Sequence, residues 1–144
     1  MQVDSKNQKL DSGQIIGIFL KNNKQPHPPE VMIPAILDEL NQPNTEVKQF
    51  GNTLFEVHKG KDGQGFFKAF NADTGANFVE NSKVFAVWAK RVLGLKIIVT
   101  EYSDESLDRL FKLIAFNPPM PGMGYQVFKA KDGKTTRVAL NLGA

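Results

Sequence analysis

Few residue types in this 144-residue chain are equipped for chemistry, and their spacing narrows the choice further. There is no cysteine, which removes disulfides, thiolate metal sites and cysteine nucleophiles. The two histidines, His27 and His58, are isolated in sequence and form no ligand-spaced motif, so no metal is expected. His58, in "FEVHKG", reads as a partly exposed residue beside a turn, and His27, between prolines, as a loop residue. Ser103 has no strained "GxSxG" elbow around it. The glycines and lysine of "GKDGQG" lie between two strand-like runs, whereas a phosphate-cradling loop leads into a helix; the stretch is read as a turn.

The elements that would position these residues follow from periodicity. Residues 1–13 are polar and read as a flexible arm or an edge segment. Ile15 to Leu20 form a short apolar run that fits a strand somewhat better than a helix. "KQPHPPE" is extended or turning, and Pro34 opens a short helix with Ile36, Leu37 and Leu40 as its stripe, ended by "NQPN". From residue 53 strands dominate. "TLFEVHKG" and "GFFKAFNA" flank an Asp-Gly pair, and "GYQVFKA" and "TTRVALNL" flank another, so two β-hairpins are expected.

Between the hairpins, Val84, Phe85, Trp88, Ala89 and Val92 recur at helical spacing after a cap at Asn81 or Ser82, and Gly94 ends that helix. "LKIIVTEY" suits a strand buried on both faces. Ser103 or Asp104 caps a further helix whose stripe is Leu107, Leu110, Phe111 and Ile114. The whole predicts a single α/β (α+β) domain over residues 1–144, with a mixed, mostly antiparallel sheet and helices on both faces.

Composition agrees: 41% hydrophobic and 23% charged residues are those of one globular domain. No apolar run has the length of about 18 residues that a membrane span needs, and the polar start "MQVDSKNQKLDSG" is unlike a secretory signal. A soluble protein of the cytoplasm is expected. The net charge of +3 permits an acidic partner without calling for one, and Lys83, Lys90 and Arg91 are read as a solvated helix face; nucleic acid is only weakly supported as a partner. The unusual loop is "NPPMPGMGY", where Pro118, Pro119, Met120, Pro121 and Met123 make either a contact surface for another chain or a loop folded back on its own core.

Residues 65–130 resemble the core of the GNAT acetyltransferase superfamily, most of all in "GLKIIVTEYSDESLDRLFKLIAF", where Ala115-Phe116 stand where that family usually carries Gly-Phe. The resemblance implies acetyl-CoA as cofactor, held by a loop with a Gln or Arg followed by glycines whose N–H groups meet the pyrophosphate at a helix N-terminus. Here the loop is "NADTGANFVEN": Asp73, Thr74, Gly75, Ala76 and Asn77 occupy it, Gly75 is a single glycine, and Asp73 and Glu80 add negative charge. Cofactor binding there is therefore not expected.

The resemblance also implies a tyrosine general acid in the helix after the central strand. The alignment puts Phe111 there, which has no proton to give. The expected base would lie on the strands near the cofactor, where Glu56 and Lys68 are the ionisable choices; Glu56 qualifies only if it is buried. Two readings remain. One is a non-catalytic structural or interaction protein on a GNAT-like scaffold, with protein partners and several symmetric copies. The other is an acetyl-CoA-dependent N-acetyltransferase with a divergent loop and Glu56 as base. The chain is also similar in style to small virion-associated proteins of short-tailed bacteriophages, which implies host cytoplasm or virion as its place.

Overall fold

The computed structural model describes residues 9–22, 27–102, 122–129 and 135–143. They form α1 (Ser12–Asn22), α2 (Pro29–Leu40), β1 (Thr45–Phe50), β2 (Thr53–Lys59), β3 (Gln64–Asn71), α3 (Gly75–Arg91), β4 (Ile97–Tyr102), β5 (Gly124–Lys129) and β6 (Thr136–Asn141). The strands make one sheet in the order β1-β2-β3-β4-β6-β5. Every neighbouring pair is antiparallel except β3 and β4, which run parallel. The mixed, mostly antiparallel sheet and both hairpins are as the sequence predicts. The helix expected over Leu107 to Ile114, the Ala115-Phe116 pair, Phe111, and Pro118, Pro119, Met120 and Pro121 lie outside the described residues.

Strand alternation sends successive side chains to opposite faces and so builds two cores. Phe55, Val57, Phe67 and Ile98 meet Phe78, Val79, Phe85, Ala86 and Ala89 of α3 on one face. Leu54 and Phe70 meet Ile15, Ile16 and Leu20 of α1 and Leu40 of α2 on the other. The rings of Phe55 and Phe85 stack at 4.2 Å and 5°, locking α3 onto β2. Phe19 meets Phe70 edge-on at 5.2 Å and does the same for α1.

The segment Ile15 to Leu20, expected as a strand, is the body of helix α1. Its start explains why. Asp11 Oδ1 accepts from the Gln14 amide at 2.8 Å while Gln14 Oε1 accepts from the Asp11 amide at 2.9 Å, a reciprocal capping box. The first turn thus forms before the apolar run begins. Nor does the expected arm extend to residue 13, because the Leu10 amide donates to Asn52 Oδ1 at 2.8 Å and α1 opens at Ser12.

Helix α2 begins five residues before Pro34, with Pro29 in its first turn, so Pro34 lies inside it. That proline forgoes one backbone hydrogen bond and is tolerated on the exposed side, while Ile33, Ile36, Leu37 and Leu40 pack against the sheet. Strand β1 is an addition to the sequence reading. Its Thr-Glu-Val-Lys-Gln-Phe alternation places Val47 in one core and Phe50 against the other. Gly51, at φ 56°, turns the chain back into β2 within two residues.

Helix α3 starts at Gly75, earlier than the expected cap at Asn81 or Ser82. The Thr74 side chain accepts from the Asn77 amide at 3.2 Å and is the true cap. The earlier start adds Phe78, Val79 and Ser82 to the buried face, and Val84 and Val92, expected in the stripe, are 51% and 67% exposed. Gly94, at φ 68°, ends the helix as expected, with the Leu95 amide returning to Ala89 O at 3.1 Å.

Candidate functional site

Parallel pairing of β3 with β4 is short: Gln64 opposite Ile97, Gly65 opposite Ile98, Phe66 opposite Val99. Among the described residues, β3 beyond Phe66 pairs only with β2, and β4 beyond Val99 pairs only with β6. The sheet therefore opens at the carboxyl ends of its two parallel strands, with α3 beginning after one of them. In sheets of this kind such an opening is where ligands enter. Gly65 permits the close approach at its closed end, since a Cβ there would stand 2.8 Å from Leu95 Cδ1 and 3.1 Å from Val57 Cγ1.

The turn from β3 into α3 is held from within. Asp73 Oδ2 accepts from the Asn52 amide and from Asn81 Nδ2, each at 2.8 Å. Asn81 Nδ2 also reaches Thr53 Oγ1 at 3.0 Å, and Thr53 donates to Asn71 Oδ1 at 2.8 Å. Asn71 in turn accepts from the Asp73 amide and donates to Asp73 O, each at 3.0 Å. The Asp73 carboxylate is thus turned toward the β1–β2 reversal. Thr74, Gly75, Ala76 and Asn77 form the exposed first turn of α3, with no acidic side chain among them.

The ionisable side chains that the sequence offered for base chemistry lie on the opposite face of the sheet from α3, beneath α2. Glu56 is fully buried. Its Oε1 lies 3.1 Å from His58 Nε2 and 4.0 Å from Lys68 Nζ, and its Oε2 has no hydrogen-bond partner among the described residues. Thr45 Oγ1 meets the other ring nitrogen of His58 at 3.3 Å. Glu39, from α2, completes the group: its Oε1 is 2.8 Å from Lys68 Nζ and 3.8 Å from His58 Nε2. Lys68 belongs to the part of β3 that has left β4, so the cluster borders the opening.

Glu56 is thus buried rather than an exposed strand residue, and the cluster holds two residues that sequence reasoning passed over. His58 was legible, because residues two apart on a strand share a face and His58 follows Glu56 by two. Glu39 was not: only the packing of α2 over β2 and β3 brings it there. Met123, expected as a contact residue, is 8% exposed and packs in the α3-side core. It belongs to the same buried cluster as Leu140 and Leu142 and offers little surface. Lys83 pairs with Glu80 at 3.5 Å, within α3. None of the described helices is long and apolar enough to cross a membrane.

No protein-family model matches the sequence, and no curated protein is significantly similar to it. Solved structures do match. A spermidine N-acetyltransferase SpeG variant from Vibrio cholerae is 14% identical with a TM-score of 0.55, over 94% of both chains. The N-acetyltransferase PseH from Campylobacter jejuni, in complex with acetyl coenzyme A, is 13% identical with a TM-score of 0.56, over 97% of both chains. An acetyltransferase of the GNAT family from Bacillus anthracis is 12% identical with a TM-score of 0.51, over 96% of this chain and 85% of its own. The split parallel pair, the helices on both faces and these matches together make this the fold of the GNAT N-acetyltransferases.

Proposed function

We propose that this chain is a non-catalytic interaction protein on a GNAT-like scaffold, working in a protein assembly, and specifically as a virion-associated protein of a short-tailed bacteriophage. The observation that carries the first part is the inward hydrogen bonding of several amides around the turn from β3 into α3. The Ala72 amide donates to Asn52 O, Asp73 to Asn71 Oδ1, Asn77 to Thr74 Oγ1 and Phe78 to Thr74 O. A pyrophosphate needs several donors pointing outward, and around this turn the Ala72 and Asp73 amides are bonded inward and the Asn77 amide is taken by its own cap. The phage assignment is supported by the resemblance in style alone. Its partners would be protein chains, including further copies of this one, with Pro118, Pro119, Met120 and Pro121 as contacts.

Calorimetry with acetyl-CoA, with thermal unfolding in parallel, tests the first part, because a ligand of the native state raises the midpoint. No heat and no shift at millimolar acetyl-CoA supports the reading, and micromolar binding overturns it. Light scattering on the full chain tests self-assembly. A multimer that Met120→Asp reduces supports the contact loop, and an unchanged multimer argues against it.

A second reading has its own observation. A fully buried Glu56 one strand from the opening, with a histidine on one oxygen and no hydrogen-bond partner for the other among the described residues, is an arrangement that suits a general base for an amine. It would make the chain an acetyl-CoA-dependent N-acetyltransferase. Amine-dependent release of free coenzyme A, abolished in Glu56→Gln, would support this second reading.

A further inference from the structure

We infer that Glu39, Glu56 and His58 form a binding site for a divalent transition-metal ion, with zinc as the chemistry that fits best. Sequence reasoning set metals aside because the two histidines stand apart; the fold instead supplies His58 with two carboxylates. The three donor atoms lie within 4.8 Å of one another. For four-coordinate zinc with nitrogen and oxygen ligands, adjacent donors stand about 3.3 Å apart. His58 Nε2 is 3.1 Å from Glu56 Oε1 and 3.8 Å from Glu39 Oε1, on either side of that value. The remaining edge, between the Glu39 and Glu56 carboxylates, is within 4.8 Å, and Glu39, with its side chain 35% exposed at the end of α2, is the ligand that would move to close it.

Two further features point to a cation. The first is Glu56 Oε2, buried and without a hydrogen-bond partner among the described residues, on a residue with no exposure at all. Leaving such an oxygen bare is costly, and bidentate coordination by Glu56 would satisfy it. The second is the Thr45 hydroxyl at the far ring nitrogen of His58, which can accept from Nδ1–H and leave the Nε2 lone pair free for a metal. Lys68 is the competitor. Its ammonium supplies the cluster's positive charge from 2.8 Å off Glu39 and 4.0 Å off Glu56, yet its side chain is 56% exposed and free to swing into water. The site is compatible with the non-catalytic reading and competes with the second, because a bound metal would occupy the carboxylate that serves there as base.

The test is titration of the untagged full chain with zinc chloride, followed by calorimetry, with cobalt(II) absorption as an independent readout. One ion per chain at micromolar affinity is expected. His58→Ala and Glu39→Gln, both at partly exposed positions, should each weaken binding by at least about tenfold. Lys68→Met, which keeps the stem and removes the charge, should tighten it severalfold. Cobalt(II) bound with nitrogen ligation should show a visible band that His58→Ala removes. Absence of binding, or wild-type affinity in the His58→Ala, Glu39→Gln double variant with its fold intact, would overturn the assignment.

Discussion

Lys68 is the cross-strand partner of Glu56, yet its ammonium is bound to Glu39 at 2.8 Å and stays 4.0 Å from the Glu56 carboxylate. The buried acid is thus only half compensated. One oxygen has His58, and the other has no hydrogen-bond partner among the described residues. A bare buried oxygen costs about 1–3 kcal/mol, and replacing such a group by an apolar residue of similar shape is often stabilising. Glu56→Met should therefore raise the urea midpoint by the equivalent of about 1 kcal/mol. A fall of that size instead would mean the carboxylate is better satisfied than its contacts indicate.

Removing Lys68 should cost little. The Lys68–Glu39 pair is largely in water, where such pairs contribute about 0–1 kcal/mol. Lys68→Ala is expected to shift the thermal midpoint by no more than a degree or two. A larger loss would place Lys68 among the groups that compensate Glu56.

The stretches that read true in the sequence were those in which local chemistry and burial agree. The Asp62-Gly63 reversal takes φ values of 60° and 74°, and Gly94 ends α3 at 68°; in each case the residue type and the backbone it requires coincide. The misreadings came where a short-range signal was outweighed. Ile15 to Leu20 is ambiguous by periodicity alone, and the reciprocal Asp11–Gln14 cap decided it. Pro34 looks like a helix start until the packing of Ile33 and Ile36 carries α2 through it. At the site, Glu56 and His58 are two residues apart and legible together, whereas Glu39 arrives through tertiary packing that no local pattern encodes.

Phe85 is the central anchor of α3. It is 1% exposed, stacks on Phe55 at 4.2 Å and lies 5.1 Å from Phe67. Phe85→Ala should destabilise the fold by about 3–5 kcal/mol, since neighbours on a sheet and a long helix collapse poorly into the space. For a domain of this size that approaches the whole stability, so Phe85→Leu gives the measurable comparison, with a smaller loss of midpoint at unchanged denaturant slope.

Gly65 tests the closed end of the opening. An added methyl would fall 2.8 Å from Leu95 Cδ1 and 3.1 Å from Val57 Cγ1, both in the α3-side core. Gly65→Ala must push Leu95 aside or spread β3 from β4, at a cost of about 1–3 kcal/mol. Gly60→Ala, where a Cβ would stand 3.6 Å from the nearest backbone atom, is the control and should be close to neutral. Equal stability of the two variants would mean the pairing is looser than its register implies.

Asn81 tests whether the turn before α3 is a rigid part of the scaffold. Its amide joins Asp73 Oδ2 and Thr53 Oγ1, and so ties the helix to the β1–β2 reversal and to the end of β3. Thr74→Ala removes only a helix cap and should cost about 1 kcal/mol. Asn81→Ala leaves a carboxylate and a hydroxyl short of a donor and should cost more, about 1–3 kcal/mol. It should also raise amide hydrogen exchange at Asn52 and Asp73, whose N–H groups bond within the same network. If acetyl-CoA binds the Asn81→Ala protein and not the parent, the inward hydrogen bonding of this turn is what closes the scaffold to the cofactor.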